Sequence, residues 1–168
     1  MKYLFASDLH GSRTAAEAVL ERFAAEKADR LILLGDLLYH GPRNPLPEGH
    51  DPMGVADCFN AMPVNPLAVR GNCDAEIDQM VLSFPIMADY MLLPLKNGAS
   101  AFITHGHLFN LATRPPYRAG DVLIHDATTT DDALCLGDTA QLDIDIQQIV
   151  AQDVLDNGFG TMWSNLGG

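Results

Sequence analysis

Four short motifs carry residue types that can do chemistry: Asp8-Leu9-His10, Gly35-Asp36, Gly71-Asn72-Cys73-Asp74 and Thr104-His105-Gly106-His107. Together they offer carboxylates, imidazoles and an amide oxygen. Carboxylates favour hard cations and imidazole favours transition metals, so the mixture suits manganese, iron or zinc. Glycines close to these residues let the backbone approach a ligand closely. Any one motif is weak: an Asp-x-His arises by chance, and Gly-Asp after a strand is commonly only a turn. The weight comes from all four recurring in order, each after an apolar run, which points to a centre for two metal ions.

The elements that must position these residues follow from periodicity. Residues 2–7 and 30–34 are short apolar runs ending at Asp8 and at Gly35-Asp36, and read as buried strands. Between them Ser12 can cap a helix from Arg13 to Lys27, with Ala16, Val19, Leu20 and Phe23 on one face. Residues 39–52 carry four of the ten prolines and are expected to form a long irregular loop of the kind that is often functional. A short helix is expected at Val55 to Ala61, a third strand at 66–70 and another short helix from Glu76 to Leu82. Residues 89–95 and 99–104 read as strands joined at Asn97-Gly98, a strong hairpin signal. A further strand is expected at 121–125, with short ones at 133–136, 141–146 and 147–151. The βαβαβ opening and β-rich remainder imply an α/β layered sandwich with polar loops gathered on one side.

Composition bounds the function. The 168 residues suit a single domain spanning 1–168, with 48% apolar residues and 19% charged ones. A formal charge of −12 argues against a protein that coats nucleic acid, which needs basic surface to displace counterions. It leaves a phosphate substrate open, because bound cations supply positive charge locally. Cys58, Cys73 and Cys135 have neither zinc-knuckle nor disulfide-framework spacing. No apolar run approaches the roughly 18 residues of a membrane span. The opening MKYLFASDLHG reaches acidic and turn residues too soon for a signal peptide. A cytoplasmic protein with no membrane association is the expectation.

The succession D-x-H, G-D, G-N-C-D and H-G-H resembles the calcineurin-like metallophosphoesterase superfamily. The stretches FASDLHGS, AVRGNCDAEIDQM, FPI and THGHLF are similar in wording to its small bacterial phosphodiesterases, and the likeness covers about residues 1–125. The resemblance implies two sheets flanked by helices, a small-molecule phosphodiester substrate and two divalent metal ions, with manganese the expected choice. It implies that Asp8 and His10 bind the first metal, that Asp36 bridges both, and that Asn72 and His105 bind the second. Asn72 and His107 would also act in catalysis, His107 by touching the phosphate or supporting His105; a plain hydrogen-bonded strand-end histidine remains the alternative. Two such cations ~3.5–4 Å apart can clamp a phosphate while a bridging hydroxide attacks phosphorus in line.

Several neighbours stay open between a role and none. Cys73 stands where many members of the superfamily carry a histidine that assists the leaving group; it would meet substrate, or it is a small packer. Arg43 and His40 lie in the proline-rich loop and would reach substrate, or are simply solvated. Asp74 orients a ligand or caps the next turn. Arg70 neutralises phosphate or forms a surface ion pair, and Trp163 reads as a packing residue.

The pattern departs from the family after residue 125. A final G-H-x-H, which would give each metal one more imidazole, is missing, and Ala127 and Thr129 occupy its histidine positions. His125 and Asp126 are the candidate substitute ligands, although strand alternation sends successive side chains to opposite faces. Two readings follow. One is a metal-dependent phosphodiesterase, and the other a catalytically impaired or non-catalytic binding module on the same fold. Altered sheet edges would favour a homo-oligomer.

Overall fold

The computed structural model describes residues 1–42 and 44–126, together with the strand backbones at 146–150 and 164–165. Its first sheet is parallel, in the order β3-β2-β1-β7, from β1 (Tyr3–Ser7), β2 (Arg30–Leu33), β3 (Leu67–Ala68) and β7 (Ile146–Val150). The second is mixed, in the order β4-β5-β6-β8, from β4 (Tyr90–Pro94), β5 (Ser100–Thr104), β6 (Val122–Ile124) and β8 (Ser164–Asn165). Helices α1 (Arg13–Ala25), α2 (Pro52–Asn60) and α3 (Glu76–Gln79) complete the described elements.

Side-chain alternation explains the layering. Leu4, Ala6, Leu31 and Leu33 face one way and pack with Ala16 and Val19 of α1 and Val55 and Phe59 of α2. Phe5, Ile32 and Leu34 face the other way and meet Ala101, Ile103, Val122 and Ile124 of the second sheet. The parallel strands are therefore apolar on both faces, as a sheet covered on both sides requires. Burying a side chain such as Ile32 stabilises the fold by ~1.5–3 kcal/mol, and truncating it to alanine would cost ~2–5 kcal/mol. Phe102 and Leu123 point outward on the second sheet and are covered by Phe109 and Leu111.

Most of the expected elements form, with shifted ends. Ser12 caps α1 by accepting from the Ala15 N–H at 3.2 Å. Helix α2 begins at Pro52 rather than Val55, because Asp51 accepts from the Gly54 N–H and Pro52 has its φ preset for a first helical turn. The third strand is short because its ladder is diverted. Val69 N–H still reaches Leu33 O, but Arg70 N–H turns to Ala88 O at 2.7 Å. Helix α3 stops at Gln79, whose side chain instead holds the Leu82 and Phe84 carbonyls and the Ile86 N–H. The hairpin forms as expected, with Gly98 at φ 85° in its turn. Strand β7 falls where a strand was expected at 147–151, whereas the expectation at 133–136 lies outside the described residues.

Candidate metal centre

The chemistry-bearing residues leave the carboxyl ends of β1, β2, β3, β5 and β6. Parallel strands end side by side there, so residues distant in sequence meet. The loops after β1 and β2 are zipped together by Asp8 N–H to Gly35 O, His10 N–H to Asp36 O and Gly11 N–H to Leu37 O. Gly35 and Gly71 then let the β2 and β3 loops touch. A Cβ on Gly71 would lie 2.4 Å from the Asp36 backbone nitrogen, and one on Gly35 2.2 Å from the Gly71 nitrogen. Asp74 fastens the same crossing. Its buried carboxylate accepts from the N–H groups of Asp36 (2.8 Å), Leu37 (2.9 Å) and Gly71 (2.7 Å). Burial holds the Asp74 carboxyl above its usual value, and those three N–H groups offset only part of the rise.

Within this frame Asp8, His10, Asp36, Asn72 and His105 converge. Ligand atoms of Asp8, Asp36 and His105 lie within 4.8 Å of one another, as do those of His10, Asp36 and Cys73. Asp36 belongs to both groups, as a bridging carboxylate must. Its Oδ1 accepts from the Cys73 N–H at 2.7 Å, while Oδ2 lies 3.8 Å from His10 Nε2 and 3.7 Å from His105 Nε2. Backbone carbonyls orient both rings. His10 Nδ1 donates to Tyr39 O at 2.8 Å, and His105 Nδ1 donates to Leu34 O at 3.0 Å. Each therefore turns Nε2 into the site, the arrangement that metal-ligating histidines commonly adopt.

The electrostatics fit divalent cations. His105 Nε2 lies 2.9 Å from Asn72 Oδ1, and with Nδ1 already donating, two acceptors face one another. A cation between them satisfies both, as does turning the amide to present its NH₂. Burial alone would depress the His10 imidazolium. The Asp8 hydrogen bond, the Tyr39 carbonyl and the Asp8 and Asp36 charges outweigh it and raise its pKa to about 9. Burial likewise works to raise Asp8, but His10 and His105 hold it below the usual carboxylate value. Burial, then the Asp8 charge, push Asp126 well up. Burial pushes the Cys73 thiol up to about 12, helped by the Asp36 charge. Burial and the neighbouring His105 lower His107.

The remaining expected residues are placed less uniformly. A cavity of about 530 Å³ opens over the ligands and is lined in part by Asp8, His10, Asn72, Cys73, Tyr39 and Asn44. Tyr39 and Asn44 were not singled out in the sequence. Their only signal is a place in the proline-rich loop directly after the Asp36 motif. His107 is exposed, with its ring 5.3 Å from that of His105. His40 packs against Tyr39 and His50, and Arg70 turns its Nε to Asp74 O. His125 is buried and its Nδ1 donates to Asp126 O, so it joins neither ligand group. Asp126 is buried against Asp8. Arg43, Ala127, Thr129, Cys135 and Trp163 lie outside the described residues.

This geometry defines a class: strand-end carboxylates and imidazoles around a shared aspartate, at the edge of a two-sheet α/β sandwich. The family model of the calcineurin-like phosphoesterase superfamily domain matches residues 1–158, and the chain belongs to that family. It is 50% identical over 128 residues to the phosphodiesterase YfcE of Escherichia coli K12, covering 76% of this chain and 69% of that protein. The YfcE of E. coli O157:H7 matches equally. A solved structure of YfcE, described as a phosphoesterase from E. coli, superposes with a TM-score of 0.68 at 49% identity. That match covers 71% of this chain and 65% of the solved one, so this chain spans about two thirds of its relative's length. The expected family and the two-sheet α/β fold are borne out.

Proposed function

We propose that this protein is a metal-dependent phosphodiesterase that takes small-molecule phosphodiesters at a dinuclear centre. The observation that carries the reading is the convergence of Asp8, His10, Asp36, Asn72 and His105 on one point, with both imidazoles held by backbone carbonyls. Asp8 and His10 would hold one divalent ion, Asn72 and His105 the other, and Asp36 both, with manganese the expected ion. When bound, the pair supplies positive charge for the phosphoryl oxygens and lowers the pKa of a water between them.

The chain's own residues then do the following. Asp36 fixes the spacing of the two positions, because one of its oxygens is anchored by the Cys73 N–H. Asn72 lines the cavity and His107 lies beside His105, and both would contact the phosphoryl group; Tyr39, also in the cavity wall, would face the departing alcohol. Cys73 lines the cavity with its thiol held protonated, and a thiol is a poor proton donor to a leaving alkoxide. Esters with stable leaving groups, such as phenoxides, are therefore the favoured substrates. Arg43, which follows Pro42 in the sequence, would be the basic residue that meets substrate. Among the described residues the cavity lining carries no lysine or arginine, which suits a singly charged diester better than a dianionic monoester.

The free thiols of Cys58 and Cys73 support a reducing, cytoplasmic setting. No helix among the described residues is long and apolar enough to cross a membrane. Exposed Tyr90 and Leu92 on the edge strand β4 support self-association.

The second reading, a binding module without turnover, is favoured by Ala127 and Thr129, which offer no imidazole where the family pattern has two. Hydrolysis of a chromogenic aryl phosphodiester, with manganese or with chelator, separates the two. Manganese-dependent turnover that disappears in Asp36→Asn supports the enzyme. Turnover indifferent to both chelator and substitution refutes the metal reading. A folded, metal-loaded protein without turnover establishes the binding module.

A further inference from the structure

Beside the proposed centre lies a carboxyl group that the reading above leaves without a task. Asp126 follows β6 and its side chain is only 5% exposed. Its backbone is fixed, because the Asp126 N–H donates to His105 O at 2.9 Å, so the residue is tied to a ligand-bearing strand end. The carboxyl lies beside that of Asp8 and feels the charges of Asp36 and His10. Its Oδ1 is fully buried and has no hydrogen-bond partner among the described residues. An unpartnered buried carboxyl oxygen is costly, and three carboxyl groups crowded around one imidazole cost more. The charges that act on it most strongly are those of Asp8, Asp36 and His10.

We infer that Asp126 is a ligand of the first metal position, completing the set of Asp8, His10 and Asp36, and that it makes this position selective for a hard divalent ion. The inference rests on the metal-centre reading and adds the ligand and the selectivity. Positions 127 and 129 hold Ala and Thr, so no imidazole stands at either. Three carboxylates and one imidazole form an oxygen-rich set. Such a set favours Mn²⁺ or Mg²⁺ over Zn²⁺, whereas each imidazole added moves the preference toward zinc. Of the two substitutes suggested by sequence, Asp126 is the one whose carboxyl lies against Asp8, whereas His125 turns its Nδ1 to the Asp126 carbonyl at 2.7 Å.

Calorimetric titration with Mn²⁺ and Zn²⁺, without substrate, tests this on the whole chain. The proteins are the wild type, Asp126→Asn, Asp126→His and Asp36→Asn, with metal-free thermal unfolding as the folding control. Asp126→Asn should weaken Mn²⁺ binding by at least ~10-fold, because even a supporting partner of a ligand is worth ~10–100-fold. Its metal-free form should unfold at the wild-type temperature or above, since one of three crowded acids is gone. Asp126→His should move the Mn²⁺-to-Zn²⁺ preference toward zinc. Wild-type Mn²⁺ affinity in both Asp126 variants, with binding lost in Asp36→Asn, overturns the role of Asp126 and leaves the metal centre standing. Wild-type affinity in Asp36→Asn as well overturns the metal centre itself.

Discussion

Asp74→Asn is the substitution whose consequence is best defined by the geometry. Asp74 never points into the cavity, yet its two oxygens accept from three backbone N–H groups of two different loops. Oδ2 takes two of them, from Asp36 and Gly71, and Oδ1 takes the third, from Leu37. An asparagine can keep its oxygen at the double position. Its NH₂ then faces the Leu37 N–H, donor against donor, in a buried site. A hydrogen bond to a charged group contributes ~1.5–3 kcal/mol, and a stranded buried donor costs ~1–3 kcal/mol. Part of the loss is offset, because burial already opposes the ionised carboxylate. The net expectation is a loss of about 2–3 kcal/mol, or a fall in Tm of roughly 4–12 °C for a chain of this length. Circular dichroism melting of the metal-free protein reads this directly. Because the stranded Leu37 N–H directly follows Asp36, Mn²⁺ affinity should fall in the same variant. Asp74→Ala strands all three donors, costs about 4 kcal/mol or more, and should leave little folded protein. A fall of less than ~2 °C in Asp74→Asn, under ~1 kcal/mol, would show that the clamp is ornamental and that other contacts hold the loop crossing.

Gly71→Ala places a Cβ 2.0 Å from Asp36 Oδ1 and 2.4 Å from the Asp36 backbone nitrogen, so it should cost about 3 kcal/mol or more, read as lost soluble protein or a collapsed Tm. Gly98→Ala is the control: its Cβ meets nothing within 4 Å, and the hairpin φ of 85° alone should cost ~1–2 kcal/mol, so equal damage in both variants refutes the close-approach argument. Burial and the Asp36 charge raise the Cys73 thiol to about 12, so it stays protonated at neutral pH. Peptide-resolved alkylation of the metal-free protein by iodoacetamide should therefore still be climbing about tenfold per pH unit at pH 10, where an ordinary thiol of pKa ~8.5 has levelled off. A plateau near pH 9 rejects it.

Much of this arrangement is legible in residue types. Leu4, Phe5, Ala6, Leu31, Ile32 and Leu33 announce strands buried on both faces, and Asn97-Gly98 announces the hairpin. The five proposed ligands are legible because a carboxylate or imidazole directly after an apolar run has few structural reasons to be there. The partners that aim them are not. Tyr39 O and Leu34 O orient His10 and His105 through their backbones, and every residue has a carbonyl. The early end of β3 depends on Ala88 O, which no local pattern marks. Asp74 was legible as an acid beside the site, but its choice between orienting a loop and capping a turn depended on contacts across 37 and 38 residues of sequence. The start of α2 at Pro52 was readable from Asp51-Pro52 and was obscured by the density of prolines before it.

One further feature unites these residues. Asp8, His10 and Asp36 have φ values of 57°, 49° and 55°, in the left-handed region. Lys27, past the end of α1, is the other non-glycine residue there among the described ones. Asp, Asn and His tolerate this region better than most residues, yet each still gives up ~1–2 kcal/mol to reach it. Glycine would remove that cost but would bring no ligand atom. The inter-loop bonds from Asp8 N–H and His10 N–H hold two of these residues in place, and the Asp74 clamp holds the third. Left-handed backbone falls on Asp8, His10 and Asp36, crowded carboxyl groups on Asp8 and Asp36, and the two facing acceptors on their neighbours Asn72 and His105. Strain of the first kind, where it persists, marks functional sites. Positive charge held between the groups relieves both the second and the third. That coincidence, more than any one motif, is the physical case for a cation site at the ends of these strands.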